Sequence, residues 1–145
     1  MSKVEDFLTS EEENAIVAAI QTAELNTSGE IRVHIEDTTD LDHYDRALAV
    51  FKLLGMDKTQ QKNGVLIYLA VSDKNFVILG DEGINDIVPD DFWDNTKDIM
   101  VAQFKTGNFK QGLIDGILSA GQELKKHFPY TSDDINELSN EISKG

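Results

Sequence analysis

The 145-residue chain contains no cysteine, only two prolines and only two arginines, Arg32 and Arg46. Without cysteine, disulfides, thiolate nucleophiles and Cys-ligated zinc or iron–sulfur sites are all excluded. The formal net charge is −14, from 27 acidic against 13 basic residues. Nucleic acids and anionic membranes bind through clustered Lys and Arg, so this balance argues against both as partners.

Long apolar runs are missing as well. No stretch approaches the roughly 18 apolar residues of a membrane span, and the segment from Met1 to Asp6 carries acids where a secretory signal has an apolar core. We therefore expect a cytoplasmic monomer with no membrane partner. The length suits one domain, predicted over residues 1–129 and followed by a helix or tail over residues 130–145.

Two runs, residues 64–71 and 76–79, are instead apolar without interruption. Strands that are apolar at every position, rather than at alternate ones, belong to sheets that are covered on both faces. The link from Ser72 to Asn75 is short and rich in turn residues, so it predicts an antiparallel hairpin.

Upstream, residues 30–36 alternate between apolar and polar and predict a first strand, with Arg32 and His34 on its uncovered face. An amphipathic helix over residues 44–54 connects this strand to the next one, which predicts a parallel pair in a right-handed βαβ unit. Another helix begins after Thr9. The predicted fold class is α/β, a three-layer α/β/α sandwich whose small mixed sheet combines the βαβ unit with the hairpin and is flanked by helices.

Two further helices are predicted after the hairpin, one opened by Pro89 and one capped by Asn108. The second of them carries small residues near one stripe, and these would let the helix lie close to the sheet. They are Gly112, Gly116, Ala120 and Gly121.

Acidic residues are predicted to gather at one end of the sheet, which we call the Glu30 end. The two parallel strands begin there, at Glu30 and Gly64, and the antiparallel third strand ends there, at Asp81. Crowded carboxylates repel one another, and Ca²⁺ or Mg²⁺ relieves that repulsion. The predicted metal ligands are Glu30, Asp81, Glu82, Asp86, Asp90 and Asp94. The alternative is that Asp81 only caps the turn after the strand while Glu30 and Glu82 are exposed.

The opposite end of the sheet, which we call the Asp73 end, offers a second set of acids. These are Asp37, Asp40, Asp42 and Asp73. They have the positions of helix caps and turn residues, so this end is the second choice for a metal. The three histidines show no zinc-binding spacing.

Four segments of the chain resemble the TPM domain family, named after thylakoid lumen, photosystem II repair and receptor-modulating proteins. They read TSGEIRV (27–33), NGVLIY (63–68), GDxGI (80–84) and FxxGxFxxGL (104–113), and the resemblance spans residues 5–129. It implies helices around a small central sheet and a divalent-cation site to which Glu30, Asp81 and Glu82 contribute. It also implies acid phosphatase activity in some relatives.

Two functions follow from these expectations. In the first, the domain is a protein-interaction or regulatory module whose bound cation stabilises loops and whose partner is another protein. In the second, it is a metal-dependent acid phosphatase, in which the ion polarises a phosphomonoester and activates water. Only Arg32, Lys58 and Lys62 are available to stabilise the transition state, and no nucleophile can be named, so the sequence favours the first function. An acidic mimic of nucleic acid fits poorly, because the acids are dispersed over a chain with a full core.

Overall fold

The computed structural model describes residues 7–59, 62–129 and 142–144. In chain order the elements are α1 (Ser10–Glu24), β1 (Glu30–Glu36), α2 (His43–Leu53), a 3₁₀ turn (Met56–Lys58), β2 (Gly64–Ala70), β3 (Asn75–Gly80), α3 (Glu82–Asn85), α4 (Asp94–Phe104), α5 (Phe109–Lys125) and β4 (Ser143–Lys144). Among these described residues, no helix is long and apolar enough to cross a membrane.

The sheet is mixed and has the strand order β3-β2-β1-β4. Strands β1 and β2 are parallel, with Glu30 opposite Gly64 at one end and Glu36 opposite Ala70 at the other. Strands β2 and β3 form an antiparallel hairpin. The predicted parallel pair, the hairpin and the α/β fold class are therefore confirmed.

Hydrophobic cores lie on both faces of this sheet. On one face, Ile31, Val33 and Ile35 of β1 pack in a cluster with apolar residues of α1, α4 and α5. On the other face, Leu66 and Tyr68 of β2 pack with apolar residues of α2. Every residue of β2 is buried. This double covering is the physical reason that β2 is apolar at every position.

The face of β1 that carries Arg32 and His34 is more buried than the alternating sequence of this strand predicts. His34 was expected on an uncovered face, but it is only 5% exposed, and Arg32 is half-buried. The prediction was wrong for His34 because its ring stacks on Tyr68 of β2, with centroids 5.9 Å apart, and also contacts Glu36 and, in β4, Ser143.

The three glycines of α5 contact other helices rather than the sheet. A Cβ atom at Gly116 would lie 2.5 Å from Sδ of Met100 in α4, and one at Gly121 would lie 2.8 Å from Cβ of Ala23 in α1. The expectation of close helix–sheet packing is thus corrected: the glycines let α5 fit between α1 and α4.

Three further features differ from the sequence pattern. Helix α4 begins at Asp94 rather than at Pro89, because the residues before it form a turn closed by the Asp94 amide and the Asp91 carbonyl at 3.0 Å. A one-turn helix, α3, follows β3 directly. Strand β4 pairs in parallel with β1, His34 opposite Ser143. The predicted helix or tail over 130–145 otherwise falls outside the described residues, and the domain boundary at residue 129 stays a prediction.

Candidate functional site

The Glu30 end of the sheet aligns three strands in one lateral row. Glu30 lies opposite Gly64 in the parallel pair. On the other side of β2, Val65 pairs with Gly80, so the next position places Asp81 opposite Gly64, where the Asp81 amide donates to the Gly64 carbonyl at 3.0 Å. Residues in one lateral row share a face of the sheet, so Glu30 and Asp81 flank a position that has no side chain.

Asp81 is buried and only partly hydrogen-bonded. It is 8% exposed, and its Oδ1 accepts a hydrogen bond from the Glu82 amide at 2.7 Å, which caps α3. Its Oδ2 is buried and has no hydrogen-bond partner among the described residues. A buried polar atom without a partner costs on the order of 1–3 kcal/mol, and more when it is charged. Capping the turn therefore accounts for one carboxylate oxygen and leaves the other unexplained.

The remaining predicted ligands lie on the surface, whereas Glu30 is buried, at 4% exposed. Glu82 begins α3, Asp86 follows its end, Asp90 lies before α4 and Asp94 begins α4; all four are exposed. In the parts of the chain that the structure describes, no three Asp, Glu or His side chains lie close enough together to hold a metal ion. The role of all six as metal ligands stays a prediction, and only Glu30 and Asp81 are buried at this end.

A cleft of about 290 Å³, which we call the Asp81 cleft, opens beside this carboxylate between α2 and the β3–α3 junction. Its lining includes Asp57, Asp81 and Glu82 together with the ammonium-bearing Lys52 and Lys62. Oδ1 of Asp57 is also buried without a hydrogen-bond partner in the described chain. Lys52 and Asp57 reach the cleft from α2 and the turn after it, a juxtaposition that no pattern in the sequence predicts.

Three of the four acids at the Asp73 end accept hydrogen bonds from residues nearby at that end. Asp42 accepts from two backbone amides in the first turn of α2. Asp73 accepts from the Thr38 hydroxyl at 2.7 Å and from Nε2 of His43 at 2.9 Å, and these two contacts lower its pKa. Asp37 accepts from a serine hydroxyl in the facing turn. The interpretation of Asp37, Asp42 and Asp73 as helix-cap and turn residues is confirmed, and for Asp40 it stays a prediction.

A buried ionic cluster, which no sequence pattern predicted, lies at the end of β1. Glu36 is 4% exposed and accepts two hydrogen bonds from Arg46, through Nε and Nη2, both at 2.9 Å. It also accepts from the Tyr68 hydroxyl and lies 3.0 Å from Nε2 of His34. We call these four residues the Glu36 cluster. The signal that could have found it is the alternation of His34 and Glu36 on one face, with an arginine at the start of the next helix.

The charge state of the Glu36 cluster follows from its contacts. Burial alone raises the pKa of Glu36, but the hydrogen bonds from Arg46, Tyr68 and His34 outweigh it and bring that pKa to about 2. Burial lowers the pKa of His34. A neutral His34 satisfies both of its contacts when Nε2 donates to Glu36 and Nδ1 accepts from the Ser143 hydroxyl at 2.9 Å. The cluster thus ties β4 to the sheet, and its every member has a structural partner.

A further carboxylate lies near the Glu30 end. Oε2 of Glu24, at the end of α1, accepts a hydrogen bond from the Ile31 amide at 3.0 Å. Burial raises the pKa of Glu24 to about 7; the bond from Ile31 opposes this shift and the charge of Glu30 adds to it. Glu24 and Glu30 are therefore close enough to repel each other, although the sequence placed Glu24 only in a helix.

Comparison with known proteins places this geometry in context. The family model described as "TPM domain", whose label also carries the word phosphatase, matches residues 1–123. The NMR structure of the BA42 protein from the psychrophilic bacterium Bizionia argentinensis is 64% identical, with all of both chains covered and a TM-score of 0.94.

Two more distant solved structures share the fold. The N-terminal domain of a P. gingivalis protein has a TM-score of 0.70 at 21% identity, over 86% of this chain and 82% of that one. The N-terminal domain of the cg2496 protein from Corynebacterium glutamicum has a TM-score of 0.66 at 16% identity, over 88% and 80%. Among curated proteins, none matches this chain.

Proposed function

This chain belongs to the TPM domain family, and on that premise we propose that it is a divalent-cation-binding domain that acts as a protein-interaction or regulatory module. The cation is Mg²⁺ or Ca²⁺, and it binds at the Glu30 end of the sheet, between Glu30 and Asp81.

The observation that carries this proposal is the unpartnered Oδ2 of Asp81. The residue is 8% exposed, so bulk water does not solvate that oxygen, and no described side chain or amide donates to it. A divalent cation would supply the missing interaction with a hard oxygen ligand. The donor set therefore fits the cation that the family resemblance implies.

The lateral row gives the proposed site its dimensions. Adjacent strands lie about 4.8 Å apart, so Glu30 and Asp81, which are separated by β2, have backbones about 10 Å apart. Gly64 between them has no side chain, which leaves room above β2 for both carboxylates to approach one ion. Two protein carboxylates suit Mg²⁺ better than Ca²⁺, because Mg²⁺ keeps several of its waters while Ca²⁺ takes six to eight oxygens, typically with more of them from protein.

A metal-dependent phosphatase is the second candidate, and one observation favours it. Lys52 and Lys62 line the same cleft as Asp81, so a phosphoryl group there would meet two positive charges beside the cation. In that role the cation would polarise the phosphoryl oxygen and activate water. Against it, the described lining of the cleft includes no histidine, serine or threonine. The binding module requires none of these groups.

The test is a titration with Mg²⁺ and with Ca²⁺ followed by amide NMR, on the wild type and on Asp81→Asn. We expect saturable shifts at residues 28–32, 62–65 and 80–86, and an affinity about tenfold or more weaker in the variant. Asp98→Asn is the matched control, because Asp98 is exposed on α4 and its replacement removes one negative charge away from the proposed site. No shift, or shifts confined to residues 37–42 and 73, would overturn the proposed site.

Phosphate release from a generic phosphomonoester separates the two candidates. Release that stops with a chelator and with Asp81→Asn, while the NMR spectrum of the variant stays folded, would favour the phosphatase. Cation binding with no release above background would favour the binding module.

A further inference from the structure

A second cleft lies on the other side of the molecule's sheet from α2, between the β2–β3 hairpin and the turn that joins α4 to α5. Its volume is about 590 Å³, within the range of about 300–1,000 Å³ typical of small-molecule sites. Three phenylalanines line it, Phe76, Phe104 and Phe109, so we call it the phenylalanine cleft. Leu69, Val71 and Val101 complete its apolar wall.

The aromatic wall is a continuous packed surface. The rings of Phe76 and Phe104 meet edge to face with centroids 5.3 Å apart, and those of Phe104 and Phe109 are 5.5 Å apart. All three side chains are only partly buried, although Phe76 and Phe104 pack against the main core. Folding leaves part of their aromatic surface exposed to solvent, so a ligand with an apolar body would bury additional aromatic surface here.

The charge of the lining is opposite to that of the protein. The chain has a net charge of −14, yet the charged residues that line this cleft are Lys74 and Lys105, with no acid among the described lining residues. Lys74 lies in the β2–β3 turn and Lys105 follows the end of α4, so the two ammonium groups come from separate elements. The neighbouring Asp73 does not line the cleft, and its carboxylate accepts hydrogen bonds from Thr38 and His43 instead.

From this combination we infer that the phenylalanine cleft binds a small amphipathic carboxylate, of the fatty-acid class. The aliphatic chain lies against Phe76, Phe104 and Phe109, and the carboxylate is paired with Lys74 and Lys105. An apolar cleft for a neutral ligand would not need two cations, and a surface for another acidic protein would not need an apolar recess of this volume. The site is separate from the Asp81 cleft and shares no lining residue with it.

The test uses decanoate, kept below its micelle concentration, in a titration followed by amide NMR. We expect saturable shifts confined to residues 69–76 and 101–109. Decanol and decyltrimethylammonium, which have the same chain with a neutral and a cationic head, should bind about threefold to tenfold more weakly, since each exposed ion pair contributes modestly. Within a homologous series of shorter carboxylates, each methylene removed should weaken binding about fourfold.

Two variants distinguish the site from general stickiness. Lys74→Gln with Lys105→Gln should remove the preference for decanoate over decanol, whereas the control pair Lys97→Gln and Lys125→Gln, on exposed positions outside the cleft, should keep it. Val101→Phe should narrow the cleft and weaken the binding of both ligands. Equal affinity for decanoate and decanol in the wild type, shifts spread over the surface, or an unchanged preference in the first pair would each overturn the proposal.

Discussion

Replacing Arg46 with leucine tests whether its guanidinium holds the Glu36 cluster together. Arg46 donates two hydrogen bonds of 2.9 Å to a carboxylate that is 4% exposed. Removing one partner of a buried ion pair typically costs about 3–5 kcal/mol, because the other charge is left without compensation. The Arg46 side chain is 28% exposed, so water can partly replace it. We therefore expect a loss in the free energy of unfolding at the lower end, about 3 kcal/mol near pH 7.

The loss in the free energy of unfolding should depend on pH, and the pKa of Glu36 determines the direction of that dependence. The pKa of Glu36 is about 2 in the folded protein, below its ordinary value of 4.5. Its stabilisation is therefore fully present above the unfolded pKa and is lost as the pH falls through the folded one. Without the hydrogen bonds and charge of Arg46, the pKa of Glu36 is higher than in the wild type, so the free energy of unfolding of the variant falls less on acidification. The difference between wild type and variant should shrink to about 1 kcal/mol near pH 3.

Urea unfolding followed by circular dichroism near pH 7 and near pH 3 measures both quantities. Arg46→Lys is the control for charge, and it should lose less than Arg46→Leu because it keeps the charge but not the paired geometry. The double variant Arg46→Leu, Glu36→Gln should recover part of the stability, since no buried charge remains. A loss below about 1 kcal/mol near pH 7, or an equal loss at both pH values, would refute the reasoning.

Three smaller changes test other buried contacts. Glu24→Gln should raise the free energy of unfolding by about 1–2 kcal/mol near pH 8 and leave it unchanged near pH 4, because the pKa of Glu24 is about 7 and the amide can still accept from Ile31. Gly121→Ala should destabilise by about 1–2 kcal/mol despite its better helix propensity, since the added Cβ would lie 2.8 Å from Ala23. Asp81→Asn should unfold no more easily than wild type without a cation and should lose cation-induced stabilisation. Urea unfolding at the stated pH, with and without Mg²⁺, measures all three.

The sheet could be predicted from the sequence because its signals are local. The uninterrupted apolar residues of β2 and the short polar link to β3 each determine a feature without reference to the rest of the chain. The position of Asp81 beside Gly64 then follows from strand direction alone. The predicted direction and pairing of the strands do not change when the ends of an element are misplaced by a residue or two.

Contacts between side chains of distant elements could not be predicted from the sequence. The burial of His34 depends on its contacts with Tyr68 of β2 and Ser143 of β4, whereas the pattern of β1 alone indicates an exposed face. Lys52 and Asp57 reach the Asp81 cleft from α2 and from the turn after it, and hydrophobic periodicity does not describe the path of that turn. The glycines of α5 correctly predicted close packing but not against which element, since the observed neighbours are α1 and α4 rather than the sheet. A stripe of small residues indicates that an element packs closely without indicating which one.

Glu36 and Asp81 show two different treatments of a buried carboxylate on the same face of one sheet. Glu36 is surrounded by donors from Arg46, Tyr68 and His34, and its low pKa follows from them. Asp81 has one amide for one oxygen and no described partner for the other. The same fold places three donating side chains around Glu36 at one end of the sheet. The missing hydrogen-bond partner of Oδ2 of Asp81 at the other end therefore requires a separate explanation. That missing partner lies beside an open cleft rather than in the sealed core, which supports the proposed cation site.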